Sequence, residues 1–507
     1  MLRPTPRDVH VSRASYLAGA MAFAAWLPFL RTPLASDAAG FLALGQQWEH
    51  GSSLYGDHWV DRPPLLIWIF RAAARLGPIG LGDDGVSAPA VMVLGGLASA
   101  AVVLLAGLLA AHLAAPGTRW TTRAVPVLAA ALLSSPLLGM PETNGELLAA
   151  PFVLLGVVAL VAALSMPAGR RPVLLAAGAG AAAMAAALVK QNVIDVFVFA
   201  AVLMILCRGG VAGLGRAAGS FAAGSVVVLA AALASAAERG TSPADLWQAV
   251  VVFRLRAGEV IDTSASANTS HRMLLLTLAF LASGAALTLG TVALLNARDA
   301  IRDRPRGAPL ALAGLALAGW ELVGVVAGGS YWLHYLTGLV PGIVVLACLV
   351  RPTTAVRRVL STCLGLALIA TATAWTEQLI NPANPAIALD AKIAHYLRDH
   401  AAPGDGVVVA FGRPDIVVGS GLSSPYEHLW SLPVRVLDPE LTELRAVLTG
   451  PDAPRWVVVS GASLATWGVD ASGVQDYFVE HYREQAAYDD FHIWRRIEDR
   501  RDASPGP

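Results

Sequence analysis

The sequence predicts an α-helical membrane protein that crosses the bilayer about eleven times and carries a small C-terminal α/β domain. Charged residues make up only 14% of the 507 residues, against roughly 25% in a soluble domain. Hydrophobic residues make up 56%, and the mean hydropathy is +0.59. Apolar stretches of membrane-spanning length recur along most of the chain. These observations exclude a soluble globular enzyme and a disordered chain.

The apolar stretches divide the chain into two predicted domains. The first stretch, at about 16–30, has the features of a signal peptide or of an uncleaved span, and we favour the span because more spans follow it. The others are expected at about 88–113, 124–140, 145–166, 172–188, 192–207, 215–236, 273–296, 308–328, 335–350 and 357–376. A transmembrane domain at 1–379 and a further domain at 380–507 follow from this division.

The distribution of arginine predicts the topology. The connections that carry Arg119, Arg170, Arg208 and Arg351 alternate with arginine-poor ones, so they fall on one side together with the N-terminus. The positive-inside rule makes that side cytoplasmic. An odd number of spans then places the C-terminal domain outside the plasma membrane, together with two long loops at 35–87 and 237–272.

Shorter patterns predict the elements outside the spans. Residues 64–76 have the pattern of an amphipathic helix that lies on the outer membrane surface. In the C-terminal domain, helix-like patterns occur at 386–400 and 470–486, and strand-like runs occur at 406–411, 456–460 and 491–495. This alternation predicts an α/β domain.

Charge and cysteine content exclude two further classes. Lys plus Arg and Asp plus Glu both number 36, so nucleic-acid binding has no electrostatic support. The three cysteines, Cys207, Cys348 and Cys363, lie in or beside apolar segments. The C-terminal domain therefore has no disulfide framework and no cysteine metal cluster.

The loop at 35–87 contains the residues best suited to chemistry. Asp37 follows the first predicted span, and Tyr55, Asp57, Asp61 and Arg62 come after it. A carboxylate at the membrane–water boundary can act as a general base, and an arginine beside it can bind a phosphate. The alternative is a solvated loop with interfacial aromatic residues.

The order of these residues resembles the C-type glycosyltransferase superfamily. The segment Ser36-Asp37-Ala38-Ala39-Gly40-Phe41 resembles the acidic motif after its first span. Leu54-Tyr55-Gly56-Asp57 and Asp61-Arg62-Pro63-Pro64-Leu65 resemble its Y-x-D … D-[HK]-P-P-L stretch. The similarity is strongest to glycosyltransferase family 39, the protein O-mannosyltransferases, and to lipid A aminoarabinose transferases and their bacterial relatives.

Three later features agree with this resemblance, and two positions depart from it. Glu142 follows the third predicted span, Lys190 lies between two short spans, and His334-Tyr335 precedes a late span. The mannosyltransferases have a second carboxylate where this chain has Ala38. They have His or Lys where it has Arg62, which retains the positive charge.

The resemblance implies an inverting transferase that moves a sugar from a polyprenyl-phosphate donor to an acceptor hydroxyl on the outer face. The acceptor would be a glycolipid, a wall polymer or a protein. Asp37 would be the catalytic base, and Arg62 and Lys190 would bind the donor phosphate. The residues expected to orient the substrates are Asp61, Tyr55, Asp57, Glu142, His334 and Tyr335. Asp37 and Asp57 are possible ligands of a divalent metal, but two scattered carboxylates do not define a site, so we expect no metal cofactor.

Alternatives exist for several of these residues and for the whole chain. Lys190 would snorkel from a helix end, Glu142 would solvate a helix start, and His334 would belong to an interfacial belt. In the second outer loop, donor or acceptor binding competes with a solvated surface for Arg254, Arg256, Glu259, Asp262 and His271. The rival functions are a multi-pass transporter or lipid flippase, and a non-catalytic cell-envelope assembly protein.

Overall fold

The computed structural model describes residues 10–48, 54–113, 119–207, 211–263, 267–302, 308–380 and 385–497. Arg208, used above to predict the topology, lies outside the described residues. Up to residue 380 the described chain is almost entirely helical. Its α-helices are Arg13–Ala24, Ser36–Gln47, Pro64–Leu76, Pro89–Leu113, Thr121–Leu133, Gly145–Ser165, Arg170–Val189, Asp195–Leu206, Val211–Ala237, Pro243–Trp247, Phe253–Thr263, Ala267–Ala282, Ala285–Arg302, Ala308–Ala327, Val340–Leu349 and Thr354–Ile380.

Six of the helices in the described residues are long and apolar enough to cross a membrane by themselves. They are Pro89–Leu113, Gly145–Ser165, Arg170–Val189, Gly213–Ala237, Ala308–Ala327 and Thr354–Ile380. Three shorter apolar helices, Thr121–Leu133, Asp195–Leu206 and Leu333–Leu349, coincide with further predicted stretches. The chain is therefore a multi-pass membrane protein, and the number of eleven spans stays a prediction.

The predicted span at 273–296 is not one straight helix. Helices Ala267–Ala282 and Ala285–Arg302 meet at an angle of 66° across Ser283 and Gly284. Gly284 has a φ of +74°, a conformation that favours glycine. A side chain at this position would also meet Cys363 of the helix packed beside it. The break therefore depends on one residue, which an average over an apolar window does not detect.

The loop at 35–87, called the first outer loop after its predicted side, forms a compact helical layer. The helix predicted at 64–76 is present, and it starts at Pro64, whose missing N–H suits the first helical turn. Its buried residues Leu66, Ile67, Phe70 and Ala73 recur at helical spacing. The preceding helix, Ser36–Gln47, packs against it, and Gly45 permits the contact because a Cβ there would lie 2.7 Å from the Arg71 backbone nitrogen.

The C-terminal segment contains a four-stranded sheet between helices. Strands β1 (Gly80–Gly82) and β2 (Gly85–Ser87) are not part of this sheet, because they form a separate short hairpin in the first outer loop. The sheet has strands β3 (Val407–Ala410), β4 (Trp456–Ser460), β5 (Tyr482–Tyr488) and β6 (Phe491–Arg496) in the order β3-β4-β6-β5. β3 and β4 are parallel, and the other pairs are antiparallel. The helices are Pro385–His400, Pro414–Ser420, Ser431–Leu437, Thr442–Thr449 and Gln475–His481.

One helical prediction in this segment is wrong in part. The pattern at 470–486 contains a helix only at Gln475–His481, and the chain then continues as β5. A turn at Asp489 and Asp490 leads back into β6, which pairs with β5. Asp489 has a φ of +52°. Because pairing with β6 supplies backbone hydrogen bonds, tertiary context overrides the local helical pattern.

The C-terminal segment contacts the first outer loop directly. The Ser36 hydroxyl donates a hydrogen bond of 2.6 Å to the Asp415 carboxylate. The backbone N–H of Trp59 donates to the Glu427 carbonyl at 3.0 Å. These contacts place the C-terminal segment over the start of helix Ser36–Gln47. The domain boundary at 379/380 stays a prediction.

Candidate active site

A cavity of about 550 Å³ lies where the two outer loops, the ends of several long helices and the C-terminal segment meet. Most of the residues predicted for the site line it: Asp37, Asp61, Arg62, Glu142, Lys190, His334 and Tyr335. They come from segments up to 298 residues apart in the sequence. The cavity wall also contains apolar side chains such as Phe41, Leu66 and Val323. A ligand with a charged head and an apolar tail would fit this combination.

Asp37 lies in the first turn of helix Ser36–Gln47, at the cavity wall. Its surroundings act on its charge in opposite directions. Burial raises the pKa of the Asp37 carboxyl, while the positive charge of Arg62 opposes the rise. The net shift is upward. A carboxylate with a raised pKa accepts a proton from a hydroxyl more readily than an ordinary surface aspartate does.

The side chain of Trp430, in the C-terminal segment, contacts Asp37. The indole Nε1–H donates a hydrogen bond of 2.9 Å to the Asp37 carboxylate. The indole also lies against Phe41, with 5.6 Å between ring centroids. Gly40 makes the approach possible, because a Cβ at this position would lie 2.3 Å from the Trp430 ring. Trp430 therefore orients the carboxylate and favours its charged form.

We expect Trp430→Phe to move the pH dependence of the reaction. Loss of the N–H donor removes an interaction that lowers the Asp37 pKa, so this pKa rises further. If Asp37 acts as the base, kcat/KM falls as the pH drops through this pKa, and the acid limb should move to higher pH. A pH–rate profile measures the shift. Trp247→Phe, at a side chain that is 60% exposed, is the control and should leave the limb in place.

Asp61 holds two arginines together at the cavity. Arg62 Nη1 donates to the Asp61 carboxylate at 2.8 Å, and Arg254 also forms an ion pair with that carboxylate. Burial would favour a neutral Arg62, but the charges of Asp61 and Asp37 outweigh it and raise the pKa of Arg62. The Arg254 Nε–H has no hydrogen-bond partner among the described residues. The observed contacts thus give Asp61 an arginine-positioning role, and a direct role in orienting a sugar stays a prediction.

Lys190 lies at the same cavity and pairs with Glu146. It follows helix Arg170–Val189 as the capping residue, and its ammonium forms an ion pair with the buried Glu146 carboxylate. The ammonium also lies 4.8 Å from the centroid of the Tyr335 ring. These contacts turn Lys190 toward the cavity rather than toward the membrane surface. The snorkelling alternative therefore does not describe its position.

The pair of Lys190 and Glu146 should behave as a unit in unfolding experiments. Lys190→Met leaves a buried carboxylate without its cation, and we expect a loss of about 3–5 kcal/mol of stability. The double variant Lys190→Met/Glu146→Gln removes both charges and should recover most of this loss. Thermal unfolding in detergent compares them. A double variant that is less stable than Lys190→Met would contradict the pairing.

Glu142 and His334 form a third polar pair in the cavity. His334 Nδ1 lies 2.9 Å from the Glu142 carboxylate. The start of helix Gly145–Ser165 is capped instead by Asn144, whose side chain accepts the Leu147 N–H. Gly139, with a φ of +104°, permits the approach of the His334 segment, because a Cβ there would lie 2.5 Å from the His334 Cα. Asn144, and not Glu142, therefore caps this helix, and the Glu142 carboxylate instead pairs with His334.

Two predicted orienting residues lie elsewhere. Tyr55 is 2% exposed and stacks on Trp48 at 4.8 Å between ring centroids, outside the cavity. Asp57 is exposed and does not line the cavity either. The Y-x-D spacing therefore brings neither side chain to the cavity that Asp61 and Arg62 line. The positions of Tyr55 and Asp57 do not support a role in orienting substrate.

Sequence reasoning missed or undervalued several lining residues. Trp430 and Arg435 come from the C-terminal segment, for which no motif gave a signal. Arg254 is one of five residues of the second outer loop for which donor or acceptor binding competed with a solvated surface, and the structure places it in the cavity with Arg272. Arg256 lines a different cavity, Glu259 and His271 do not line this one, and the Asp262 side chain lies outside the described residues. Among the candidate residues of this loop that the structure describes, Arg254 is the one that forms an ion pair with Asp61.

A smaller cavity adjoins the site within the helical bundle. It shares Glu146, Asn192 and Tyr335 with the larger cavity, and it is also lined by Asp195 and Glu321. Glu321 is 6% exposed and accepts the Gly342 N–H at 2.9 Å. Glu321 is not among the site residues predicted from the sequence. Glu321 is therefore a buried ionisable residue within a helix that is long and apolar enough to cross a membrane.

Comparison with known proteins identifies the fold. The chain has the fold of the C-type glycosyltransferases, which confirms the resemblance described above. The structure is similar to ArnT from Cupriavidus metallidurans in the apo state (TM-score 0.60, 13% identity, 95% of this chain and 97% of that chain). It is also similar to ArnT bound to undecaprenyl phosphate (TM-score 0.58, 13% identity, 97% and 98%). A third similar structure is the Archaeoglobus fulgidus oligosaccharyltransferase AglB in complex with an inhibitory peptide and a dolichol-phosphate (TM-score 0.50, 12% identity, 97% and 75%).

The chain is similar to these proteins in structure and has little similarity to them in sequence. No protein-family model matches the sequence. No curated protein matches it at a significant level. At sequence identities of 12–13%, the structural similarity establishes the architecture of the chain alone. Its chemistry has to be argued from its own residues.

Proposed function

We propose that this protein is an inverting membrane glycosyltransferase that transfers a sugar from a polyprenyl-phosphate donor to an acceptor hydroxyl on the outer face of the plasma membrane. The observation that carries the proposal is the joint position of Asp37, Arg62, Lys190 and Arg254 on one cavity with partly apolar walls. The polyprenyl phosphates bound to two structural neighbours support this donor class. The predicted topology places the cavity outside.

The cavity offers each group that the reaction needs. Asp37 takes the proton of the acceptor hydroxyl as its oxygen attacks the anomeric carbon of the sugar. The new C–O bond forms as the bond between the anomeric carbon and the phosphate oxygen breaks, and polyprenyl phosphate leaves. Attack from the side opposite the leaving group inverts the anomeric centre. The positive charges of Arg62, Lys190 and Arg254 stabilise the departing phosphate.

The two arginines that contact Asp61, Arg62 and Arg254, are well suited to bind a phosphate. Asp61 neutralises one of the two guanidinium charges and fixes both arginines. Guanidinium groups donate hydrogen bonds in a planar fork that matches phosphate oxygens. A bound phosphate would neutralise the guanidinium charge that Asp61 leaves unbalanced. A glycolipid, a wall polymer or a protein remains the expected acceptor class.

A transfer assay tests the proposed function. Purified protein in lipid would be incubated with a panel of radiolabelled polyprenyl-phosphate sugars and a cell-envelope extract. We expect label to move from one donor to an acceptor in the extract. A pyrophosphate-linked donor with the same sugar is the control and should be inactive. Failure of every monophosphate donor would favour the transporter or assembly-protein alternatives.

A further inference from the structure

A mixed group of two glutamates and a histidine lies in the C-terminal segment, apart from the proposed active site. Glu427, His428 and Glu443 each offer one ligand atom, and these atoms all lie within 4.8 Å of one another. None of the three lines the active-site cavity. The resemblance and the proposed function assign them no role.

The geometry matches that of a metal-binding group. His428 Nε2 lies 3.1 Å from the Glu443 carboxylate and 3.7 Å from the Glu427 carboxylate. Two ligands of a tetrahedral zinc ion, each about 2.1 Å from it, are about 3.4 Å apart. The two measured separations lie on either side of this value. A metal ion can therefore be accommodated with small side-chain movements.

The histidine is held with one nitrogen toward the carboxylates. Its side chain is 1% exposed, and its ring packs edge-on against Trp59 and Tyr426 at 6.1 and 5.2 Å between ring centroids. The other ring nitrogen, Nδ1, is buried and has no hydrogen-bond partner among the described residues. Exchange of the two nitrogens would turn Nε2 away from its contact with the Glu443 carboxylate. Nε2 is therefore fixed in the direction of the two glutamates.

The third ligand is positioned by a separate network. Asp438 accepts the backbone N–H groups of Glu443 and Leu444, each at 3.0 Å, and so fixes the first turn of helix Thr442–Thr449. The Asp438 carboxylate also accepts the Tyr426 hydroxyl at 2.9 Å. This links the helix that carries Glu443 to the segment that carries Glu427 and His428. The three ligands thus come from two elements with a shared buried anchor.

The charge of the group also favours a cation. Two carboxylates and a neutral imidazole together carry a charge of about −2, which a divalent ion would neutralise. The side chains of Glu427 and Glu443 are 38% and 51% exposed, so an ion can enter from solvent and retain a water ligand. One nitrogen and two oxygen ligands with an open position suit Zn²⁺.

We propose that Glu427, His428 and Glu443 form a binding site for a divalent transition-metal ion of the zinc class. The bound ion joins the segment at 426–430 to helix Thr442–Thr449. Its direct effect is on the stability of the C-terminal segment. Because Trp430 follows His428 by two residues, the ion also stiffens the segment from which Trp430 reaches Asp37.

Zinc binding to the full-length protein tests this site without reference to transfer activity. Chelator-treated protein, freed of any affinity tag, would be titrated with Zn²⁺ by calorimetry, and its thermal unfolding would be followed with and without Zn²⁺. We expect one tightly bound ion per chain and a higher Tm with zinc. Glu443→Gln should weaken binding at least tenfold and abolish the rise in Tm. Glu440→Gln, at an exposed neighbour outside the group, is the matched control and should behave as the wild type.

Glu443→Gln is chosen because the half-exposed side chain is expected to be replaceable without loss of folding. His428→Ala would be compared only if its unfolding without zinc is cooperative. Equal zinc affinity in the wild type and Glu443→Gln would overturn the proposal. So would the absence of stoichiometric binding, in which case His428 serves as a bridge between two carboxylates. Neither result depends on whether the protein transfers a sugar.

Discussion

Asp37→Asn should abolish sugar transfer while the protein still folds and binds its donor. An amide of the same shape cannot accept the proton of the acceptor hydroxyl, and general-base catalysis contributes about 10²–10⁴ to a rate. We therefore expect kcat to fall at least a hundredfold, with little change in the donor KM. The Asn amide still offers an oxygen to the Trp430 N–H, so the local packing should persist.

The measurement is initial-rate kinetics with the donor identified in the transfer assay. Asp83→Asn is the matched control, because Asp83 is an exposed carboxylate in the same outer loop, between strands β1 and β2. It should transfer sugar at the wild-type rate. An Asp37→Asn variant with wild-type kcat would show that another group, or none, acts as the base.

Arg62→Ala should weaken both donor binding and the chemical step. Arg62 donates to Asp61 and lies 5.8 Å above the centroid of the Phe41 ring, so its guanidinium is fixed at the cavity wall. Loss of one preorganised donor to a developing negative charge typically costs about 10²–10³ in rate. We expect a drop of this size in kcat/KM. Arg62→Lys should recover part of it, because lysine supplies the charge without the planar fork.

The kinetics would be measured against donor concentration at saturating acceptor. Arg75→Ala, an exposed arginine at the end of helix Pro64–Leu76, is the matched control. An unchanged donor KM in Arg62→Ala together with an unchanged kcat would remove Arg62 from the site. A change in KM alone would restrict its role to ground-state binding.

Short motifs predicted the part of the site that lies in one loop. Asp37, Asp61 and Arg62 are close in sequence to the first apolar stretch, and a charged loop next to a span is conspicuous in a chain with 14% charged residues. The motif did not separate residues that reach the cavity from residues that do not. Asp57 and Asp61 are four residues apart, yet only Asp61 lines the cavity. Asp57 is exposed and Asp61 is buried, and the motif does not distinguish these two environments.

Long-range contacts are the part that the sequence did not reveal. Trp430 is 393 residues from its hydrogen-bond partner Asp37, and tryptophan in a predicted α/β domain is usually a core residue. The same holds for Arg254 and Asp61, which are far apart in sequence and were not paired by any pattern. The role of Gly40 in the contact between Trp430 and Asp37 is evident only from the structure. Its missing side chain leaves the space for the Trp430 ring.

Apolar periodicity located the helices but not their breaks. The stretch at 273–296 has the composition of a single span, and the 66° bend at Ser283 and Gly284 follows from one backbone conformation. In a similar way, Tyr482–Tyr488 has a helix-compatible composition and forms a strand because β6 is beside it. In the second case, tertiary packing overrides the local propensity for helix.

The proposed function requires that the cavity binds a polyprenyl phosphate with its phosphate at Arg62. An experimental structure of the protein in lipid with undecaprenyl phosphate added tests this directly. We expect phosphate oxygens within hydrogen-bond distance of the Arg62 guanidinium, about 2.7–2.9 Å, with the isoprenoid chain leaving along the apolar wall. A phosphate bound away from Arg62, Lys190 and Arg254, in a protein with Asp37 facing no ligand, would contradict it.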